Sequence, residues 1–380
     1  MASSIPPHPQ AGRARGSVVL GVGRDAAHST HEAAAHQVIA QQLAELLGYD
    51  FAGAWVPGRP YPGPLYFIPG DVLIGLDAAE ACGIRGAGDL FGGVVPDRVA
   101  ASKAITHPLV DSPARVPDGW SDTFAERVRP VVLPGYSAFA AADARRAGRA
   151  LLHSGPVRIK PAHGNAGRGQ RVATDISALD AIVAGFDEDT LAHDGIVLET
   201  DLRDLTTWSV GQVRVDDHTI AYYGTQWLTR DNDGDVAYGG SSLRVHRGGF
   251  DALLREPLPP PVREAAAQAQ LYDEAARQCF PRMFASRRNY DVVQGKDHDG
   301  RPHAGVLESS WRIGGASGAE AVALLRFRDE PGRRWLGVRT EERYGADARP
   351  PAGATVLFHG VDPACGPLLK CTLVEDDDHT

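Results

Sequence analysis

The chain has 380 residues, 43% of them hydrophobic and 23% charged, with a net charge of −9 from 39 basic and 48 acidic side chains. That length exceeds one ordinary core and predicts two or three domains, while the acid excess argues against a nucleic-acid footprint. Cys82, Cys279, Cys365 and Cys371 form no CxxC pair, so neither a zinc cage nor a disulfide framework is predicted and a cytoplasmic location fits. No apolar run is long enough to span a membrane.

Residues 1–16, rich in Pro, Ala and Arg, read as a disordered leader. A buried-type strand over 17–22 runs into Gly21-Val22-Gly23-Arg24-Asp25-Ala26, a partial dinucleotide fingerprint that lacks its supporting acid. Ser29 and Glu32 then have capping-box spacing before an amphipathic helix to about residue 47. His31-Glu32 and His36 do not form a metalloprotease motif, because positions i and i+5 lie about 140° apart on a helix. A packed or solvated helix face is the better reading. Short β-prone runs at 65–68 and 72–74 complete an N-terminal α/β domain over 17–110, with Lys103 in a helix predicted over 97–106. Residues 111–120 read as a linker.

A helix is predicted over 140–152, followed by the most informative stretch. A β-prone run ends in Lys160-Pro161 and opens into a loop holding Gly164, Gly167 and Gly169; a second β-prone run covers 170–173. Such a hairpin can fold its tip over a ligand, and bare amides beside an ammonium group suit an anion. It is not a P-loop, since no Gly-Lys-Ser/Thr follows. Next come a helix near 176–186 and a strand ending in Glu199, continued by Thr200, Asp201 and Leu202. Strands at 207–215 and 219–227 flank a polar turn, and Tyr238-Gly239-Gly240-Ser241-Ser242 reads as a flexible loop. A long helix over 262–280 precedes two strands, one carrying Asp291 and the other ending in Glu308, joined through Asp299-Gly300 as a hairpin. Residues 331–380 show a weak strand pattern and an acidic tail.

Taken in order, Lys160 with its glycine hairpin, Glu199, Asp291, and the run from Glu308 through Ser310 and Arg312 to Gly315 resemble the ATP-grasp superfamily. The resemblance covers about residues 100–325 and is closest to a bacterial branch of unknown function. It implies an α/β and α+β chain: an N-terminal α/β domain, then a first subdomain over 111–202 bearing the lid, a second over 203–330 bearing a metal site, and an extension over 331–380. It implies ATP and Mg2+ as cofactors. Lys160 and the upstream Lys103 would meet the phosphates, and Gly164, Gly167 and Gly169 would form the lid. The backbone from Glu199 through Asp201 to Leu202 would receive adenine. Asp204 and Asp201 compete for the ribose.

Asp291 and Glu308 resemble the carboxylates that hold Mg2+, an ion that prefers oxygen ligands and bridges carboxylates to phosphates. Ser310 departs from the pattern, which has Asn there, and a hydroxyl is the poorer ligand. Arg312 resembles the arginine that faces the transferred phosphoryl group, and with Lys160 it is expected to be catalytic. The implied reaction is ligation. A carboxylate attacks the γ-phosphorus of ATP, ADP leaves, and an amine displaces phosphate from the acyl-phosphate. Partners would then be a small carboxylate and a small amine, with no nucleic acid and no membrane; a homodimer is compatible. Two alternatives stay open: a nucleotide-binding or regulatory module without ligation, which Ser310 favours, and a phosphotransferase. Tyr222, Tyr223, Gln226, Trp227, Arg230, Arg244 and His246 lie where a substrate wall could be, or in ordinary sheet packing.

Overall fold

The structure, a computed structural model, describes residues 16–21, 30–163 and 169–375. The leader, most of the partial fingerprint, lid residues Gly164 and Gly167, and the acidic tail beyond Glu375 lie outside the described residues. The chain opens with β1 (Ser17–Leu20), α1 (Thr30–Leu47), β2 (Asp50–Ala54) and β3 (Leu65–Ile68), which form a parallel sheet in the order β2-β1-β3. Apolar positions of α1 recur at helical spacing, with Ile39, Ala40, Leu43 and Ala44 buried. Then come β4 (Leu73–Ile74), α2 (Leu76–Ala81) and β5 (Gly93–Val95). The helix expected around Lys103 is instead two short 3-10 turns, Val99–Ala101 and Lys103–Thr106. Ser102 breaks them apart: its backbone is extended, and its hydroxyl accepts from the Ala104 N–H at 3.2 Å.

After α3 (Asp122–Val128), the first subdomain is built from β6 (Gly135–Ala138), α4 (Ala141–Leu152), β7 (Val157–Pro161), β8 (Arg171–Ala173), α5 (Ile176–Ala184), α6 (Glu188–Asp194) and β9 (Ile196–Thr200). Its antiparallel sheet has the order β6-β9-β7-β8. The predicted linker is pinned here, because Asp143 accepts from the Ala114 N–H while Arg146 donates to the carbonyls of Asp111 and Ser112.

The second sheet uses β10 (Arg203–Val215), β11 (His218–Arg230) and β12 (Val236–Arg247). Helices α7 (Phe250–Arg255) and α8 (Pro260–Cys279) follow, then β13 (Phe284–Ala285), which pairs with β5. The chain returns through β14 (Arg287–Lys296), β15 (Pro302–Ser310), α9 (Ser317–Asp329), β16 (Trp335–Tyr344), β17 (Thr355–Asp362) and β18 (Gly366–Glu375). All but β13 join one eight-stranded sheet in the order β15-β14-β10-β11-β12-β16-β18-β17. Residues 335–375 are therefore no appended extension; they supply three strands of the main sheet.

Tyr238 to Ser242 is likewise strand rather than loop. Its glycines serve close approach: Gly239 is an extra residue opposite β11, and Gly240 has φ +147°, where a Cβ would fall 2.1 Å from the Thr340 carbonyl oxygen. The large sheet is covered on both faces. Ala265, Ala266, Ala269 and Tyr272 of α8 pack against Val210, Tyr290, Val292 and Val306. On the other face, Ala319, Ala323, Leu324 and Phe327 of α9 pack with α1 over Val213, Leu243, Val245 and Val338.

One buried ion pair fastens α9 to that face. Arg287 and Glu320 are essentially fully buried, the guanidinium Nε lies 3.0 Å from the carboxylate, and the Tyr222 hydroxyl donates to Glu320 at 2.6 Å. Removing one partner strands the other charge in the interior. Glu320→Ala is expected to lower unfolding free energy by about 3–5 kcal/mol, measured by urea denaturation; a loss below about 1 kcal/mol would show that water or another group compensates Arg287.

Candidate active site

The first-subdomain sheet delivers Lys160 near the end of β7, where the ammonium group is buried and contacts Glu199 of β9. These side chains lie diagonally on one face, because Lys160 is opposite Val197 and Arg158 is opposite Glu199. His107, wholly buried, places Nε2 3.3 Å from the other carboxylate oxygen of Glu199. Burial alone would raise the Glu199 carboxyl. The Lys160 charge and the His107 contact outweigh it and hold the group down at about 2, against an ordinary 4.5.

The large sheet delivers the two acids. Asp291 of β14 is directly opposite Glu308 of β15, and the next pair is Val292 with Val306, so Leu307 is an extra residue in β15. That bulge re-aims Glu308. Val306 is buried in the α8 core, and in an unbroken strand Glu308, two residues on, would follow it there. Instead Glu308 shares a face with Asp291. Burial and the Glu308 charge push the Asp291 carboxyl up to about 7; Lys103, Arg287 and the Gln226 amide, which donates at 3.2 Å, oppose the rise. Lys103 Nζ lies 2.5 Å from Glu308, and the Lys103 backbone N–H donates to the Ala162 carbonyl at the end of β7. The segment 102–107 thus joins both halves of the site.

The other predicted residues fall as follows. Gly169, the one predicted lid glycine among the described residues, has φ +74°. Asp201 is tied to Arg158 at 2.6 Å, and Leu202 is buried with Leu133 and Val293. Asp204 is exposed, in a left-handed conformation at φ +55°, 3.6 Å from Lys296. Ser310 accepts from Arg287 Nη1 at its hydroxyl and at its carbonyl, both at 3.3 Å. Arg312 reaches toward the N-terminal domain, with Nε 3.6 Å from Asp71. Tyr222 and His246 are packing residues: Tyr222 is in the α9 core, and the His246 ring meets Trp335 edge-on at 4.5 Å.

His107, Arg287 and Asn289 were missed by sequence reasoning. Asn289 is opposite Ser310 and donates to Ser209 and Tyr222. Nothing in their local sequence marks them, since each acquires its role from a strand or turn brought in from elsewhere.

A family model described as a protein of unknown function (DUF3182) matches residues 19–372. The chain belongs to that family. No curated protein matches its sequence. Among solved structures, the biotin carboxylase domain dimer of the 2-oxoglutarate carboxylase from Hydrogenobacter thermophilus, determined with MgADP, ADP and bicarbonate, is similar at 15% identity and TM-score 0.51, over 96% of this chain and 86% of that one. An ADP complex of N5-carboxyaminoimidazole ribonucleotide synthetase is similar at 12% identity and TM-score 0.50, over 96% and 93%. The fold is thereby ATP-grasp, with the mixed α/β layout the sequence implied. Among the described residues no helix is long and apolar enough to cross a membrane.

Two titrations follow from this geometry. A carboxylate held below its unfolded value stabilises the fold above that value, so the Glu199 contribution is present above pH 4.5 and fades as pH falls toward 2. The stability gap between the parent protein and Glu199→Gln should shrink across that window in denaturant melts; a constant gap would mean that the folded state does not hold the Glu199 carboxyl below its unfolded value. Asp291 has the opposite sign, costing stability as pH rises from 3.8 toward 7. Without divalent cations, Asp291→Asn is expected to be more stable than the parent at pH 8, by on the order of 1–2 kcal/mol at this partly solvated site, and close to it at pH 4.

Proposed function

We infer that this chain is an ATP-dependent ligase joining a small carboxylate to a small amine, with the nucleotide between the β7–β9 sheet and the β14–β15 hairpin. The observation that carries this reading is the opposed pair Asp291 and Glu308, with Lys103 against Glu308 and the same short segment reaching the Lys160–Glu199 pair through His107. Two carboxylates on one face, one of them reluctant to ionise beside the other, fit a divalent cation with oxygen ligands. Asp291 and Glu308 would hold Mg2+, which when bound neutralises charge on the phosphates.

Lys160 and Lys103 would bind phosphate oxygens as point charges. Glu199 and His107 hold Lys160 in place beforehand, so little rotamer freedom is lost when an anion arrives. Lys103 would exchange its contact with Glu308 for a phosphate, freeing that carboxylate for the cation. Arg312, about one-third exposed and reaching across to Asp71, would meet the transferred group or the substrate acid. The glycine lid would exclude water that would otherwise hydrolyse the acyl-phosphate. Of the two ribose candidates, Asp204 has the more accessible carboxylate, because Asp201 is committed to Arg158.

A second reading, nucleotide binding without ligation, is favoured by one observation: the Ser310 hydroxyl already accepts from Arg287. Calorimetric titration with ATP, with and without Mg2+, tests the site. Lys160→Ala is expected to weaken binding at least tenfold, and Glu308→Gln is expected to remove the Mg2+ requirement. Unchanged affinity in Lys160→Ala would sink the assignment. ADP release that needs both an acid and an amine would then separate ligase from binding module.

A further inference from the structure

A second constellation lies away from the carboxylate pair, where the start of α1 meets the β17–β18 turn. His31 is in the first turn of α1, Asp362 ends β17, and Cys365 closes the turn 363–365. Their candidate ligand atoms all lie within 4.8 Å of one another. Asp362 is buried and firmly oriented: it accepts from the backbone N–H of His31 at 3.0 Å, of Ala364 at 2.9 Å and of Cys365 at 3.2 Å. A carboxylate has about four acceptor sites. Three are taken by these amides, and the Cys365 sulfur lies within 4.8 Å of the same group. His31 Nδ1 is buried and, among the described residues, meets no hydrogen-bond partner. The ring is set edge-on to Phe358 at 6.1 Å.

Capping of α1 explains the carboxylate. It explains neither the unpaired imidazole nitrogen nor the sulfur gathered beside it. Buried polar atoms are rarely left unpaired, and a thiol, a carboxylate and an imidazole within 4.8 Å of one another are a site where a metal can replace the thiol proton.

We propose that His31, Asp362 and Cys365 bind a transition-metal cation of the zinc class. The donors are a nitrogen, an oxygen and a sulfur, which suit zinc and exclude magnesium and calcium as preferred occupants. Binding forms the metal–sulfur, metal–nitrogen and metal–oxygen bonds and releases the thiol proton to solvent, with no change of oxidation state. Thiolate and carboxylate together neutralise a dication. Among nearby charges, the Lys370 ammonium is engaged by Glu342 at 2.9 Å, and Glu32 adds a further negative charge. Bond lengths of ~2.0–2.3 Å put the ligand atoms of a tetrahedral site ~3.5 Å apart, so the three would close by about 1 Å. The His31 and Cys365 side chains can supply that, as both are only partly buried. The ion would clamp the N-terminal helix to the last hairpin of the large sheet, joining segments more than 300 residues apart.

The test uses the full chain, without a histidine tag, stripped with chelator and titrated with Co2+. One equivalent should produce a thiolate-to-cobalt charge-transfer absorption, reversed by Zn2+. Cys365→Ser and His31→Ala should each lose that absorption or weaken Zn2+ binding by more than the roughly 10–100-fold that losing an outer-sphere partner costs. Cys82→Ser should retain it. Cys365→Ala serves as a second variant, and metal-free thermal melts by circular dichroism show which variants are folded. Absence of the absorption in the parent, or its survival in a folded Cys365 variant, overturns the proposal. Either result is independent of whether ATP binds at Asp291 and Glu308.

Discussion

Asp291 and Glu308 stand opposite each other in neighbouring strands, and like charges at that separation repel unless cations are brought to them. Much of the molecule's architecture supplies those cations. Lys103 comes from the end of the N-terminal region and Arg287 from two turns of pleat along β14. The pair is exposed to this field only because the Leu307 bulge turns Glu308 off the core face. Such a pair is costly to the apo fold and useful to a cation-requiring site, the usual trade between stability and function.

Segment 102–107 connects the two halves of the site. Its lysine contacts Glu308, its histidine contacts Glu199, Thr106 hydrogen-bonds Tyr272 of α8 at 3.0 Å, and the Ala104 carbonyl accepts from Ser137 of β6 at 2.5 Å. A regular helix could not do this, since its carbonyls would be used internally and its side chains would radiate at 100° intervals. The break at Ser102 frees the backbone and lets successive residues face different sheets. The failed helix prediction and the assembly of the site thus have the same cause.

Beneath the site, the Arg287–Glu320 pair gives α9 a fixed position against the large sheet, and through Ser310 and the Arg312 carbonyl it also orders the turn that carries Arg312. Buried ion pairs of this kind contribute little net stability compared with apolar packing. Here the pair sets the geometry of the loop leading from Glu308 to Gly315, so it serves positioning more than affinity of fold.

Much was legible in the chain alone. Short β-prone runs ending in Lys160, Glu199 and Glu308, the capping spacing before α1, and the Asp-Gly turn between β14 and β15 are local signals, and each element formed where those signals lay. What the chain did not show is long-range. Gly239 and Gly240 read as a loop because what they serve lies elsewhere in the sheet: Gly239 passes Trp227 of β11, and Gly240 passes β16, a strand some 100 residues later. The last three strands were faint because each is stabilised by neighbours in the sheet rather than by its own composition. His107, Arg287, and the meeting of His31 with Cys365 depend on contacts across 92, 33 and 334 residues respectively. Sequence by itself determined which residues can carry charge, cap a helix or turn a strand, since those are properties of single side chains and near neighbours. Tertiary structure decided which charges face one another, because pair energies depend on distance and burial, and neither is encoded locally.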